Sequence, residues 1–173
     1  VLVKINSHDK ATLLYHFKLL KQKQLTNDTK CTRLFIFLID VISERRIMQY
    51  NNIAFIGFGL IAGSIAKAIR KYRPESIIYA YTNTRSELLK GKSDGIIDII
   101  LEGIDSTLSD CDIVFLCTPV EFNEYYLEKI KPYIKKESIV TDVGSTKSSI
   151  HNLAKKLDME EVFIGGHPMA GSE

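Results

Sequence analysis

Asn52-Ile53-Ala54-Phe55-Ile56-Gly57-Phe58-Gly59-Leu60-Ile61-Ala62-Gly63-Ser64 is the stretch whose reading decides the fold. A short apolar strand over Asn52–Ile56 runs straight into a G-x-G-x-x-A turn, and the turn opens a helix. Gly57 permits the tight turn, Gly59 lets the backbone approach a diphosphate with no Cβ in the way, and Ala62 keeps helix and strand close. The unpaired N–H groups and positive dipole end of such a helix stabilise an anion. Gly57, Phe58, Gly59, Leu60, Ile61 and Ala62 are therefore expected to bind a dinucleotide.

Downstream, the pattern alternates. Leu60–Arg70 reads as a helix with Ile61, Ile65, Ala68 and Ile69 for burial, and Ser76–Tyr81 as a second strand. A helix near Ser86–Lys90, a short strand over Ile96–Leu101 and a fully apolar strand over Asp112–Cys117 follow. Val120–Tyr133 is a helix interrupted or ended near Pro132. Ser138–Thr141 is the next strand, Ser145–Leu157 a helix and Val162–Ile164 the last strand. Continuous apolar strands separated by helices imply a parallel sheet covered on both faces. The expected fold class is thus α/β, a doubly wound sheet of the Rossmann type.

Composition narrows the function classes. The 173 residues are 45% hydrophobic and 25% charged, which is ordinary for a soluble globular chain, and the net charge of +2 gives no reason to expect nucleic acid or a membrane as partner. The charge is uneven: residues 1–47 hold nine basic and four acidic residues, residues 48–173 fourteen and seventeen. Residues 1–47 carry no chemistry-bearing constellation. Leu13, Leu14, Phe17 and Leu20 could face one side of a short helix, and Leu34–Ile42 could be a strand. We read 1–47 as an N-terminal extension of unclear structure and 48–173 as the nucleotide-binding domain. Cys31, Cys111 and Cys117 lack metal-ligand spacing, so no metal is expected, and their free thiols fit a reducing cytoplasm. The run Leu34–Ile39 is too short to span a bilayer.

Three strand ends carry candidate chemistry, because open α/β sheets bind ligands beyond the carboxyl ends of their strands. After the second strand, Thr82 stands where an NAD site usually places a carboxylate. Thr82, Asn83 and Thr84 can donate to a 2′-phosphate and Arg85 can add charge, giving a slight lean to NADP over NAD. Arg85 fits equally well as a solvated residue at a helix start. Thr118 and Pro119 shape a turn near the cofactor path after the apolar fourth strand. Ser145 reads either as a helix N-cap or as a ligand-facing hydroxyl. His167, following Gly165 and Gly166, is placed for proton chemistry, whereas His151 reads as a helix-surface residue.

GFGLIAGS over 57–64, DVGSTKSSI over 142–150 and GGHPMAGSE over 165–173, in this order, resemble the prephenate dehydrogenase family, with arogenate dehydrogenase as close relative. The resemblance spans about residues 50–173. It implies oxidative decarboxylation of prephenate to 4-hydroxyphenylpyruvate, in tyrosine biosynthesis, with NAD or NADP as cofactor. It further implies that His167 draws the proton from the substrate's ring hydroxyl and that Ser145 helps align hydroxyl, histidine and nicotinamide. Ser172 and Glu173 match substrate-site positions. Ala62 replaces the glycine more common in the family's turn. The family continues beyond this segment into a helical domain that forms a homodimer and supplies arginines for the substrate's two carboxylates. Lys147 is the nearby cation this segment offers. The expectation is a chain that binds cofactor but turns over prephenate negligibly by itself. Another hydroxyacid or imine reductase leaves GGHPMAGSE unexplained, while a non-catalytic nucleotide-binding module remains the other class.

Overall fold

The computed structural model describes residues 50–167; the readings made for residues 1–47 and for Ser172 and Glu173 lie outside them. Six strands form one parallel sheet: β1 (Asn52–Ile56), β2 (Ile77–Tyr81), β3 (Ile99–Ile100), β4 (Ile113–Leu116), β5 (Ile139–Asp142) and β6 (Phe163–Gly165). Their spatial order is β3-β2-β1-β4-β5-β6. Four helices connect them: α1 (Leu60–Tyr72), α2 (Arg85–Ser93), α3 (Val120–Ile130) and α4 (Ser148–Lys156). Chain direction across the sheet reverses between β1 and β4, the switch point where such sheets bind their ligands.

Alternation along the central strands explains why they are apolar throughout. Ile53, Phe55, Ile113 and Phe115 face one side, packing with Ala62, Ile65, Ala66 and Ile69 of α1 and Leu88 of α2. Ala54, Ile56, Val114 and Leu116 face the other, packing with Leu127 and Ile130 of α3 and Ile150 and Ala154 of α4. Both residue parities are buried, so no polar position interrupts the strand. Phe55 and Phe115 lie nearly parallel at 5.0 Å across the β1–β4 pair, and Phe58 meets Phe55 edge-on at 5.9 Å. These rings sit directly beneath the glycine turn.

Two departures from the sequence expectations, in the third strand and at the start of α4, have local causes, whereas the expected interruption near Pro132 is present. The third strand shrinks to Ile99–Ile100, because Ile96 and Ile97 turn inward. Their amides donate to the Gly91 carbonyl, and a Cβ on Gly91 would lie 2.5 Å from Ile97 Cδ1. Helix α3 stops at Ile130, and Lys131–Tyr133 forms a 3₁₀ turn around Pro132, which has no N–H for the helical ladder. Helix α4 begins at Ser148, not Ser145. Lys147 occupies its N-cap with no side-chain capping bond, so the N-cap reading of Ser145 is overturned; the cause lies in the site itself.

Candidate functional site

At the switch point Gly57 lies against the end of β4. Its φ is +87°, and a Cβ there would stand 2.8 Å from the Cys117 carbonyl group and the Thr118 nitrogen. Both sterics and backbone conformation exclude a side chain. Gly57 N–H donates to Tyr81 O at 2.7 Å, and Cys117 N–H to Ile56 O at 2.7 Å, so the three strand ends are tied together. Gly59 is the opposite case: nothing lies within 4 Å of its Cβ position. That open side leaves room for a ligand against the backbone.

Gly59 is also the N-cap of α1, with no side-chain cap and no acidic residue in the first turn. Gly63 N–H is taken by Gly59 O at 2.9 Å, while the N–H groups preceding it in the first turn have no intrahelical acceptor. Leu60 is 88% exposed, so its contribution is backbone rather than side chain, and Ala62 is fully buried under the turn.

A cleft of about 1150 Å³ opens over these strand ends. Small-molecule sites typically occupy roughly 300–1,000 Å³, so its size suits an extended ligand. Gly57, Phe58, Gly59, Ile61, Thr82, Asn83, Thr84, Thr118, Pro119, Ser145 and His167 all line it. Residues 110 positions apart in sequence thereby line one cleft. Arg85 does not join them. It pairs with Glu102 at 3.0 Å, both side chains largely exposed, and its reading as a solvated residue at a helix start fits better than that of a phosphate ligand. Leu60 and Ala62 are likewise absent from the lining side chains.

At one end the cleft is aromatic. Tyr81 and Tyr126 meet edge-on at 6.1 Å, and Tyr81 donates to Asn83 Oδ1 at 3.0 Å. Burial and the adjacent Tyr81 hold the Tyr126 hydroxyl above the ordinary tyrosine range. The Asn83 side chain also hydrogen-bonds the Tyr126 hydroxyl. Phe122, Tyr125, Tyr126 and Lys129 recur at helical spacing on α3 and line this wall. Nothing in the helical spacing of these residues distinguishes the stripe from an ordinary core face. Glu87 is the one acidic residue, and Lys129 the one lysine or arginine, among the described residues lining the cleft.

At the other end the unforeseen residue is Asp142. Its side chain is fully buried at the end of β5. Oδ2 accepts from Gly144 N–H at 2.9 Å and from Lys147 Nζ, and Oδ1 accepts from Gly166 N–H at 3.3 Å. Lys147 Nζ also donates to Gly144 O at 2.7 Å. This web holds Ser145 to Lys147 out of the helix, which is why α4 starts late. It also overturns the expectation that Lys147 is available to a substrate carboxylate, because its charge is already spent on Asp142. His151 is not simply a surface residue: it is half-buried and edge-on to Phe163 at 5.5 Å, and a Cβ on Gly165 would lie 2.7 Å from its Nε2.

The floor between the two ends is less reactive. Thr118 donates to Asn123 Oδ1 at 2.7 Å, and buried Asn123 Nδ2 has no partner among the described residues. Burial, and secondarily the Asp142 carboxylate, push the Cys117 thiol above its usual range. An open glycine cradle and an uncapped helix start together fit a dinucleotide.

A family model described as prephenate dehydrogenase, nucleotide-binding domain, matches residues 65–173. The chain belongs to this family. Among relatives, the prephenate dehydrogenase of Lactococcus lactis subsp. cremoris is 40% identical over 125 residues, covering 70% of this chain and 35% of that protein. Prephenate dehydrogenase from A. aeolicus, solved with hydroxyphenyl propionate and NAD+, aligns at a TM-score of 0.66 with 29% identity over 73% of this chain and 44% of that one. Synechocystis arogenate dehydrogenase aligns at 0.62 with 35% identity, over 70% and 42%. The chain thus spans about a third of the curated relative's length.

Proposed function

We propose that this chain is the cofactor-binding part of an NAD(P)-dependent dehydrogenase that oxidatively decarboxylates prephenate to 4-hydroxyphenylpyruvate. The observation that carries the reading is the shared cleft: Gly57 and Gly59 at the start, Ser145 and His167 at the far end, all at strand carboxyl ends. The uncapped first turn of α1 holds the diphosphate, and Thr82, Asn83 and Thr84 surround the adenosine ribose. The bound nicotinamide supplies the two-electron acceptor.

His167 is exposed at the cleft edge, where its imidazole can accept the proton of a substrate hydroxyl. Ser145 orients that hydroxyl by hydrogen bonding. Loss of the ring carboxylate as carbon dioxide leaves an aromatic ring, which makes the reaction strongly downhill. Arogenate, which keeps the same ring, is the alternative substrate, and the resemblance to the Synechocystis arogenate dehydrogenase favours keeping it in view.

Absence of a carboxylate at Thr82 gives a slight preference for NADP, with Lys129 as the one lysine among the described residues lining the cleft. Prephenate carries two carboxylates, and the described cleft has only that one lysine. The polypeptide by itself therefore binds the dinucleotide and turns over prephenate negligibly. Titration with NADH and NADPH, followed by nicotinamide fluorescence, tests the binding site. Prephenate-dependent dinucleotide reduction tests the activity. Failure to bind either dinucleotide would sink the reading. Turnover near that of an intact family enzyme would sink the statement about this polypeptide.

A further inference from the structure

We infer that the Asp142–Lys147 pair is a positioning device that holds Ser145 and His167 on the same cleft wall; the inference rests on the dinucleotide-site reading above. The two loops involved follow neighbouring strands, with Asp142 paired in register to Gly165. Ser145 is bracketed by the clamp. The residue before it, Gly144, gives its N–H to Asp142, and Lys147 reaches back to both Asp142 and the Gly144 carbonyl. His167 directly follows Gly166, whose N–H is held by the other carboxylate oxygen. One buried side chain thus tethers both cleft residues without lining the cleft itself.

The surrounding residues are shaped around this arrangement. A Cβ on Gly144 would lie 2.9 Å from Asp142 Oδ2, and one on Gly165 would lie 3.2 Å from Lys147 Cδ. The Lys147 side chain is 18% exposed and that of Asp142 is 0%. A buried ion pair is a weak device for stability, since desolvation offsets most of the attraction and an apolar pair often does as well. Its distinctive property is direction. A carboxylate with two oxygens fixes donors from two separate loops in one geometry, which an apolar side chain does not.

The test separates position from stability. Asp142→Asn and Lys147→Met each leave one partner of a buried pair unmatched, and both lower the melting temperature. The double variant removes both charges and regains most of that loss. Accessibility of His167 is read by its rate of modification with diethyl pyrocarbonate, assigned by peptide mass mapping, with and without dinucleotide. In the parent, bound dinucleotide slows modification of His167. In the double variant we expect His167 to react several-fold faster and the dinucleotide to protect it little. Parental rate and protection in a double variant of recovered melting temperature would overturn the proposal.

Amide hydrogen exchange on the unaltered chain provides a second arm that needs no variant. Gly144 and Gly166 should be protected and should open together; a Gly166 amide exchanging like a free loop would overturn the clamp. If the parent shows no dinucleotide protection at all, the functional reading fails, and the exchange arm alone then decides the clamp.

Discussion

Asp142 accepts the Gly166 amide at 3.3 Å across 24 residues of sequence, joining the loop after β5 to the loop after β6. That contact makes the site one object rather than two adjacent loops. With Lys147 committed to the same carboxylate, Lys129 is the one lysine among the described residues lining the cleft.

The two glycines of the turn should separate cleanly. Gly57→Ala forces a side chain into a positive φ and into the Cys117–Thr118 backbone, so it should cost on the order of 1–3 kcal/mol of stability. Gly59→Ala meets open space and should leave the melting temperature almost unchanged, yet weaken dinucleotide binding by about tenfold or more through the lost approach. Thermal unfolding beside a cofactor titration reads both. Equal binding by Gly59→Ala and parent would remove the diphosphate from this turn.

Cofactor choice should respond to Thr82. An aspartate there places a carboxylate at the ribose end of the cleft, able to accept from a 2′-hydroxyl and to repel a 2′-phosphate. Thr82→Asp should shift the NAD-to-NADP affinity ratio toward NAD by about tenfold, roughly 1.4 kcal/mol. An unchanged ratio would place the adenosine ribose elsewhere.

His167→Asn keeps a polar side chain but cannot take up a proton near neutrality. In an active dehydrogenase containing this domain, kcat should fall by about 10²–10⁴ while dinucleotide affinity stays within a few-fold of the parent. A fall in affinity with kcat retained would assign His167 to binding instead of proton transfer.

Alkaline pH should expose the burial of Cys111. Burial first, then Asp112 and Asp110, push its thiol up to about 12, so the folded state keeps the proton when the unfolded chain loses it near 9. The unfolded state then binds fewer protons, and stability falls as pH rises from about 9 toward 12, by roughly 1.4 kcal/mol per unit at most. Denaturation midpoints measured between those limits should decline less steeply in Cys111→Ala than in the parent. Parallel slopes would show that this thiol does not contribute.

How far the chain could be read without coordinates depended on the range of each interaction. The β1–turn–α1 unit was legible because strand, glycines and helix are contiguous, and because burial of both strand faces leaves an unbroken apolar run in Ile53–Ile56. Strand and helix order followed from the same local periodicity. The start of α4 was not legible, since Ser145 is a good capping residue by type and only Asp142 draws its loop away. His151 carries a polar ring that a helix pattern places outside, whereas contact with Phe163 of the neighbouring strand draws it partly inside.

The sequence by itself therefore determined the α/β class, the succession of elements and the glycine turn, because each is written in patterns a few residues long. Only the tertiary structure decided which distant residues meet: Arg85 with Glu102, Lys147 with Asp142, and Gly166 with Asp142. Side-chain pairing depends on sheet order and loop path, and a charged residue's partner is chosen by distance in space, which no local pattern of residues records.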